Sequence, residues 1–141
     1  SNGVGKTTLA KILAGIVTDY EGEVHYPNGR MSVAVTFQYP TSIPGHWTVD
    51  QIQPPTTLPT QVLSAIGSTT YEYLSLSEQK FVCVMAALNR SRDLVVLDEP
   101  FAAMDDHHIR YLVDYINEDT DRTMIIINHD DRVNCDKKIR M

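Results

Sequence analysis

Apolar side chains recur at the spacing of a helix with a buried face in three stretches of the chain. The first stretch places them at Leu9, Ile12, Leu13 and Ile16. The second covers residues 78–90, where apolar residues occupy both sides and predict a largely buried helix. The third covers residues 109–116. The pattern therefore predicts three helices, spread from the beginning of the chain to its last third.

Other stretches have the patterns of β-strands. Residues 31–37 alternate between apolar and polar, as in a half-buried strand, and residues 23–26 predict a further short strand before a turn at residues 27–29. Residues 93–98 and 123–128 hold continuous apolar runs, as expected of buried parallel strands. Because strands and helices alternate, we predict an α/β fold with a mainly parallel sheet flanked by helices.

Residues 40–59 interrupt this alternation, because they hold five of the chain's seven prolines. Proline excludes a long helix, so we predict an irregular insertion followed by a short helix over residues 60–66. We assign residues 1–38 and 91–141 to the core of one partial domain, and about 39–90 to a reduced helical subdomain inserted into it.

Composition and charge narrow the range of functions. The 141 residues are 43% apolar and 21% charged, which is typical of one globular domain. A net charge of −6 without a basic stripe argues against nucleic acid as the main partner. Cys83 and Cys135 lack the spacing of metal ligands, which favours a reduced, cytoplasmic setting. No run approaches the roughly 18 apolar residues of a membrane span, so we expect any membrane role to be peripheral.

The chain opens with a glycine-rich turn of a kind that holds phosphates. Residues 1–7 carry the pattern G-x-x-x-x-G-K-[ST] except its first glycine. Gly3 and Gly5 allow successive backbone N–H groups to point into one concavity, and the helix dipole adds to the attraction for phosphate. Lys6 is expected to reach the same phosphates and Thr7 to ligate Mg²⁺. The residues predicted to bind the nucleotide at this turn are Asn2, Gly3, Val4, Gly5, Lys6, Thr7 and Thr8.

Two adjacent carboxylates follow the apolar run at residues 94–97, at the edge of the sheet where the phosphate turn is expected. Adjacent residues can take different roles. Asp98 is predicted to hold Mg²⁺, directly or through water, and Glu99 to polarise the attacking water as general base. Gln38 and His129 also follow predicted strands, so we expect them at the same edge.

These features resemble the ATP-binding cassette (ABC) ATPases, a family of P-loop NTPases, and the resemblance covers nearly the whole chain. Each motif alone is weak, but their occurrence in family order is highly specific. The segments similar to family motifs are the Walker A loop at 1–8, the Q-loop at 37–40, the signature sequence at 74–80, Walker B at 95–101, the D-loop at 102–105 and the H-switch at His129.

The resemblance implies an enzyme that binds ATP and Mg²⁺ between two ABC domains arranged head to tail. It implies that Ser75 contacts the γ-phosphate of the ATP held by the second domain. His129 would hydrogen-bond the γ-phosphate and position the water with Glu99, while Gln38 would sense Mg²⁺ and the water. Catalytic roles are therefore predicted for Glu99, His129 and Gln38, and metal-binding roles for Thr7, Gln38 and Asp98.

Three departures from the family pattern matter. Leu76 and Ser77 stand where the signature usually has two glycines, and a leucine side chain prevents the close backbone approach that glycine permits. Only about 35 residues separate Gln38 from the signature, so the helical subdomain is reduced. The family's N-terminal strands are missing and residues 135–141 look like the start of a further strand, so we expect a fragment truncated at both ends.

The function implied by the resemblance is Mg²⁺-dependent ATP hydrolysis by the nucleotide-binding subunit of an ABC transporter. Its partners would be a second ABC domain and transmembrane subunits, which it would meet on the cytoplasmic face of a membrane. Two alternatives stay open: a soluble, translation-associated ABC ATPase, and a degenerate, noncatalytic ABC domain. Leu76 and Ser77 favour the degenerate domain, whereas the retained acidic pair argues against it. No role is assigned to His25, His46, His107 or His108.

Overall fold

The computed structural model describes residues 5–27, 29–38, 43–52, 65–90, 92–119 and 121–139. Within these residues, three parallel strands form a sheet in the order β1-β2-β3. The strands are β1 (Val33–Thr36), β2 (Leu94–Asp98) and β3 (Thr123–Ile127). Because all three run in the same direction, their carboxyl ends lie along one edge of the sheet. The predicted parallel sheet is confirmed.

Helices flank and connect these strands, as the alternating pattern predicts. Their bounds are α1 (Lys6–Leu13), α2 (Val49–Ile52), α3 (Leu76–Leu88) and α4 (Asp106–Glu118), with a 3₁₀ turn at Tyr71–Tyr73 before α3. All helices in the described part of the chain are too short or too polar to cross a lipid bilayer.

The core lies on both faces of β2, and this explains its uninterrupted apolar sequence. Successive side chains of a strand point to opposite faces. Val95 and Leu97 accordingly join the larger hydrophobic cluster with α3 and α4, while Leu94 and Val96 join a smaller cluster with Ala10 of α1. All five residues of β2 are buried. The prediction of a central strand covered on both faces is confirmed.

Some predicted strands are wrong in extent or burial. Residues 23–26 have no strand conformation, residues 31–37 contribute only Val33–Thr36, and residues 135–139 do not form a strand. β3 is half-buried rather than buried. Backbone N–H and C=O groups need partners, so a strand extends only as far as a neighbour pairs with it. In this sheet β1 pairs with β2 over four residues.

The helix predicted from Leu9 to Ile16 ends earlier and buries less than expected. It stops at Leu13, and Gly15 then turns the chain with a φ of 72°. Leu9 is 39% exposed and Ile16 57% exposed, so the prediction of a continuous buried face is wrong. The small side chain of Ala10, which is fully buried, makes the contact with the sheet instead.

The region that the sequence predicts to be an insertion is described only in part. As predicted, no long helix occurs at residues 43–52, where α2 spans four residues. Of the short helix predicted at residues 60–66, Ala65 and Ile66 are helical, and residues 60–64 lie outside the described part of the chain.

Two leucines of α3 provide a matched test of this core. Leu88 is fully buried and Leu76 is 73% exposed. Leu88→Ala should lower the free energy of unfolding by about 2–5 kcal/mol, because it removes packed atoms and leaves a cavity. Leu76→Ala should change it by no more than about 0.5 kcal/mol. Urea denaturation measures both, and equal losses in the two variants would contradict this description of the core.

Candidate active site

Of the turn before α1, the structure describes Gly5, the last glycine of the phosphate-binding pattern. Gly5 is the N-cap of α1 and has a φ of 87°, a left-handed conformation that costs glycine little. Lys6 is the first residue of the helix, and Thr7 and Thr8 follow in its first turn. The predicted residues Asn2, Gly3 and Val4 lie outside the described part of the chain.

Thr7 and Asp98 meet at the carboxyl end of β2. The Thr7 hydroxyl donates a hydrogen bond of 2.7 Å to Asp98 Oδ2. Asp98 is the last residue of β2 and only 1% exposed, so its carboxylate is held in place by the sheet. A hydroxyl and a carboxylate oxygen side by side are ligands that Mg²⁺ accepts. The residues present therefore fit the predicted cation.

Glu99 and His129 form a second pair at the same edge. His129 Nε2 lies 2.8 Å from Glu99 Oε1, and the His129 side chain is 53% exposed whereas that of Glu99 is 14% exposed. The backbone N–H of Glu99 donates to the Ile127 carbonyl at 2.8 Å, which fastens this residue to the end of β3. Glu99 has a φ of 49°, which is uncommon for a residue with a side chain.

Gln38 follows β1, and its backbone is held by a lysine that the sequence pattern did not single out. Lys80 Nζ donates to the carbonyl of Phe37 at 2.8 Å and to that of Gln38 at 3.1 Å. Lys80 is 4% exposed, and its burial lowers the pKa of the ammonium group although Cys83, Asp98 and Glu99 favour its charged form. The sequence feature that could have indicated this role of Lys80 was its position in a helix that is apolar on both sides.

Ser75 lies at the beginning of α3, where it caps the helix. Its hydroxyl accepts the N–H of Glu78 at 3.1 Å, and the Glu78 carboxylate accepts the N–H of Ser75 at 2.9 Å. This capping box fixes the direction in which α3 begins. Leu76, the next residue, projects into solvent. The hydrogen bonds of Ser75 are local to α3, so this residue is not joined to the Thr7 and Glu99 pairs.

Ser77 connects α3 to the segment that follows the acidic pair. Its hydroxyl accepts the backbone N–H of Asp105 and lies 2.8 Å from Nδ1 of His108. His108 is buried and stacks on Phe81, with ring centroids 4.6 Å apart. The sequence patterns gave His108 no role, because its partners are about 30 residues distant along the chain.

A parallel sheet with a glycine-initiated helix and an acidic pair at its carboxyl edge defines a P-loop NTPase fold. Comparison with known families gives the more specific assignment. The family model described as ABC transporter matches residues 1–102, and the chain belongs to this family.

Relatives and solved structures agree with this assignment. The chain is 30% identical over 142 residues to an uncharacterized ABC transporter ATP-binding protein of Methanocaldococcus jannaschii, a match covering 92% of this chain and 24% of that protein. It is 34% identical over 115 residues to an aliphatic sulfonates import ATP-binding protein of Streptomyces avermitilis, covering 74% of this chain and 43% of that protein.

A structural match comes from the solved complex of an archaeal ribosome recycling factor with the ribosomal stalk protein aP1. The TM-score is 0.77 at 27% identity, over 92% of this chain and 27% of the matched chain. The present chain thus spans less than half the length of each of these three proteins.

The contacts of Lys80 lead to a prediction about stability. Lys80→Met removes the donor to two backbone carbonyls and should lower the free energy of unfolding by about 1–3 kcal/mol. Lys137→Met, at an exposed position in the C-terminal segment, should change it by no more than about 0.5 kcal/mol. Urea denaturation compares the two variants. A Lys80→Met protein as stable as the unaltered one would show that these hydrogen bonds do not hold the end of β1.

Proposed function

We propose that the protein containing this chain binds ATP with Mg²⁺ and hydrolyses it at the carboxyl edge of the sheet. The main support is the position of two pairs of side chains. Thr7 of α1 contacts Asp98 at the end of β2, and Glu99, which follows β2, contacts His129, which follows β3. Membership of the ABC transporter family gives independent support. The retained acidic pair favours an active enzyme over a noncatalytic domain.

Phosphate binding is assigned to the turn at the beginning of α1. Backbone N–H groups at a helix N-terminus attract anions, and Lys6 adds a positive charge in the first turn. Thr7 and Asp98 would hold the cation with oxygen ligands. Gln38, which follows β1, would be the third ligand of the cation. When bound, Mg²⁺ neutralises charge that develops on the phosphate oxygens during transfer.

Glu99 is assigned as general base. Its carboxylate is mostly buried beside the cation ligand Asp98, and it already contacts His129 at 2.8 Å. A water bound between Glu99 and the terminal phosphate would lose its proton to the carboxylate as the oxygen attacks phosphorus. The bond between that phosphorus and the bridging oxygen of the β-phosphate would break, and ADP would leave. His129 would orient Glu99 and hydrogen-bond the phosphate. The exposure of the His129 side chain leaves room for a ligand beside its ring.

The partners follow from the same proposal. Ser75 begins α3 with its backbone oriented by the capping box, and we assign it to the nucleotide of a second ABC domain. The similarity to an importer's ATP-binding protein supports transmembrane subunits as the other partner and a position at the cytoplasmic face of a membrane. Leu76 is exposed beside Ser75, so a second domain must accommodate its side chain.

Replacement of Glu99 tests the central assignment. Glu99→Gln keeps the shape of the side chain but removes its basicity, so it should slow ATP hydrolysis by about 10²–10⁴-fold while ATP binding persists. Lys6→Ala should instead weaken ATP binding. Glu118→Gln, an exposed glutamate at the end of α4, is the matched control and should retain activity. The measurements are phosphate release and nucleotide binding by the protein that contains this chain.

Two results would contradict the proposal. Equal hydrolysis rates in Glu99→Gln and Glu118→Gln would remove the general-base role of Glu99. If Glu99→Gln lost ATP binding while Lys6→Ala still bound ATP normally, the nucleotide would not be bound at the turn before α1.

The structural match to a ribosome recycling factor supports a second candidate, an ABC ATPase acting in translation rather than transport. Fractionation of cells that produce the whole protein separates the two. A transporter subunit should sediment with membranes and be released by detergent, together with its transmembrane partners. A translation factor should sediment with ribosomes and be released by ribosome dissociation, and this result would overturn the transport proposal while leaving the ATPase proposal intact.

A further inference from the structure

Three potential metal ligands lie together at the beginning of α4. Asp105 is the N-cap of this helix, and His107 and His108 are in its first turn. One potential ligand atom from each lies within 4.8 Å of the other two. The side chain of Asp105 makes no capping hydrogen bond to the helix, so its carboxylate is not committed to the neighbouring N–H groups.

His108 is held as a metal-binding histidine usually is. Such histidines are oriented by a hydrogen bond to the second ring nitrogen. Nδ1 of His108 lies 2.8 Å from the Ser77 hydroxyl, and the ring is buried against Phe81. In the tautomer in which Nδ1 donates its proton to the Ser77 oxygen, Nε2 carries the lone pair that a metal binds. The same hydroxyl accepts the N–H of Asp105, so Ser77 positions two of the three candidate ligands.

The donor set selects the kind of metal. Two imidazoles and one carboxylate suit Zn²⁺ and similar transition metals better than Mg²⁺. The N-terminus of a helix disfavours a cation, and the negative charge of Asp105 offsets this.

The three candidate ligand atoms must move closer together to bind a metal. Zn²⁺ bonds nitrogen and oxygen at about 2.0–2.2 Å in tetrahedral geometry, which places its ligand atoms about 3.3–3.6 Å apart, whereas the three atoms here lie within 4.8 Å of one another. Asp105 and His107 are exposed and can rotate, whereas His108 is fixed. With three protein ligands, water would complete the coordination.

We propose that Asp105, His107 and His108 form a Zn²⁺ site, with Ser77 as the positioning residue. The site uses none of the residues of the Thr7 and Glu99 pairs and does not depend on the ATPase proposal. A metal bound here would immobilise the segment that runs from Glu99 to α4, because Asp105 ends this segment.

Titration with Zn²⁺ in the absence of nucleotide tests the proposal on the protein that contains this chain. His107 is exposed, so His107→Ala should fold normally yet weaken the site at least tenfold. His25→Ala is the matched control, because His25 is also exposed and beside a carboxylate, that of Glu23. It should bind Zn²⁺ as the unaltered protein does. Calorimetry gives the affinity and the number of sites.

Direct ligation is tested by substituting Co²⁺ for Zn²⁺. His107→Cys should restore binding and add a sulfur-to-metal charge-transfer band, which requires residue 107 to be bonded to the metal. Ser77→Ala should weaken Zn²⁺ binding by about 10–100-fold without changing the number of sites.

Unchanged Zn²⁺ binding in His107→Ala would overturn the proposal. So would loss of the site in His129→Ala with His107→Ala unaffected, since the metal would then lie at the edge of the sheet. Absence of a stoichiometric site in the unaltered protein would equally overturn it.

Discussion

The hydrogen bond from Thr7 to Asp98 determines how the candidate active site is assembled, because it joins residues 91 positions apart in the chain. A contact over such a distance carries a large loop-closure entropy, and the buried sheet provides the stabilisation that offsets it. β2 lies between β1 and β3, with core packing on both faces, so Asp98 has little freedom. Gly5 and the beginning of α1 are therefore placed by the contact of this helix with a buried strand.

Lys80 imposes a second constraint, which links α3 to the sheet. Burial lowers the pKa of the Lys80 ammonium group, because the charged form loses its hydration. Two backbone carbonyls at the end of β1 compensate for this loss by accepting hydrogen bonds from the ammonium group. The helix that begins at the capping box of Ser75 is consequently fastened to the residue that follows β1. The Gln38 backbone would therefore respond to a displacement of α3 through Lys80, in addition to the packing of this helix against β1.

The sequence predicted the parts of the fold that depend on local patterns. The continuous apolar run of β2 and the two-sided apolar pattern of α3 indicated burial correctly. An element that is apolar on both sides is buried whichever side faces the core, so the residue types alone are enough to predict it. Leu9 was predicted to be buried and is exposed, because burial of α1 depends on what packs against it. Lys80 and His108 were missed for a similar reason: their roles come from partners distant in the chain. The roles of the site residues themselves remain predictions.

The segment after β2 has a consequence for protein engineering. Glu99 and Ala103 both adopt left-handed backbone conformations, with φ of 49° and 59°, and each costs of the order of 1 kcal/mol relative to glycine. Replacing either by glycine would relieve this cost. At position 103 the gain would be compatible with the proposed chemistry, but at position 99 it would delete the carboxylate. Selection for thermostable variants would thus favour the replacement of Glu99 by glycine, and this replacement would remove the proposed general base.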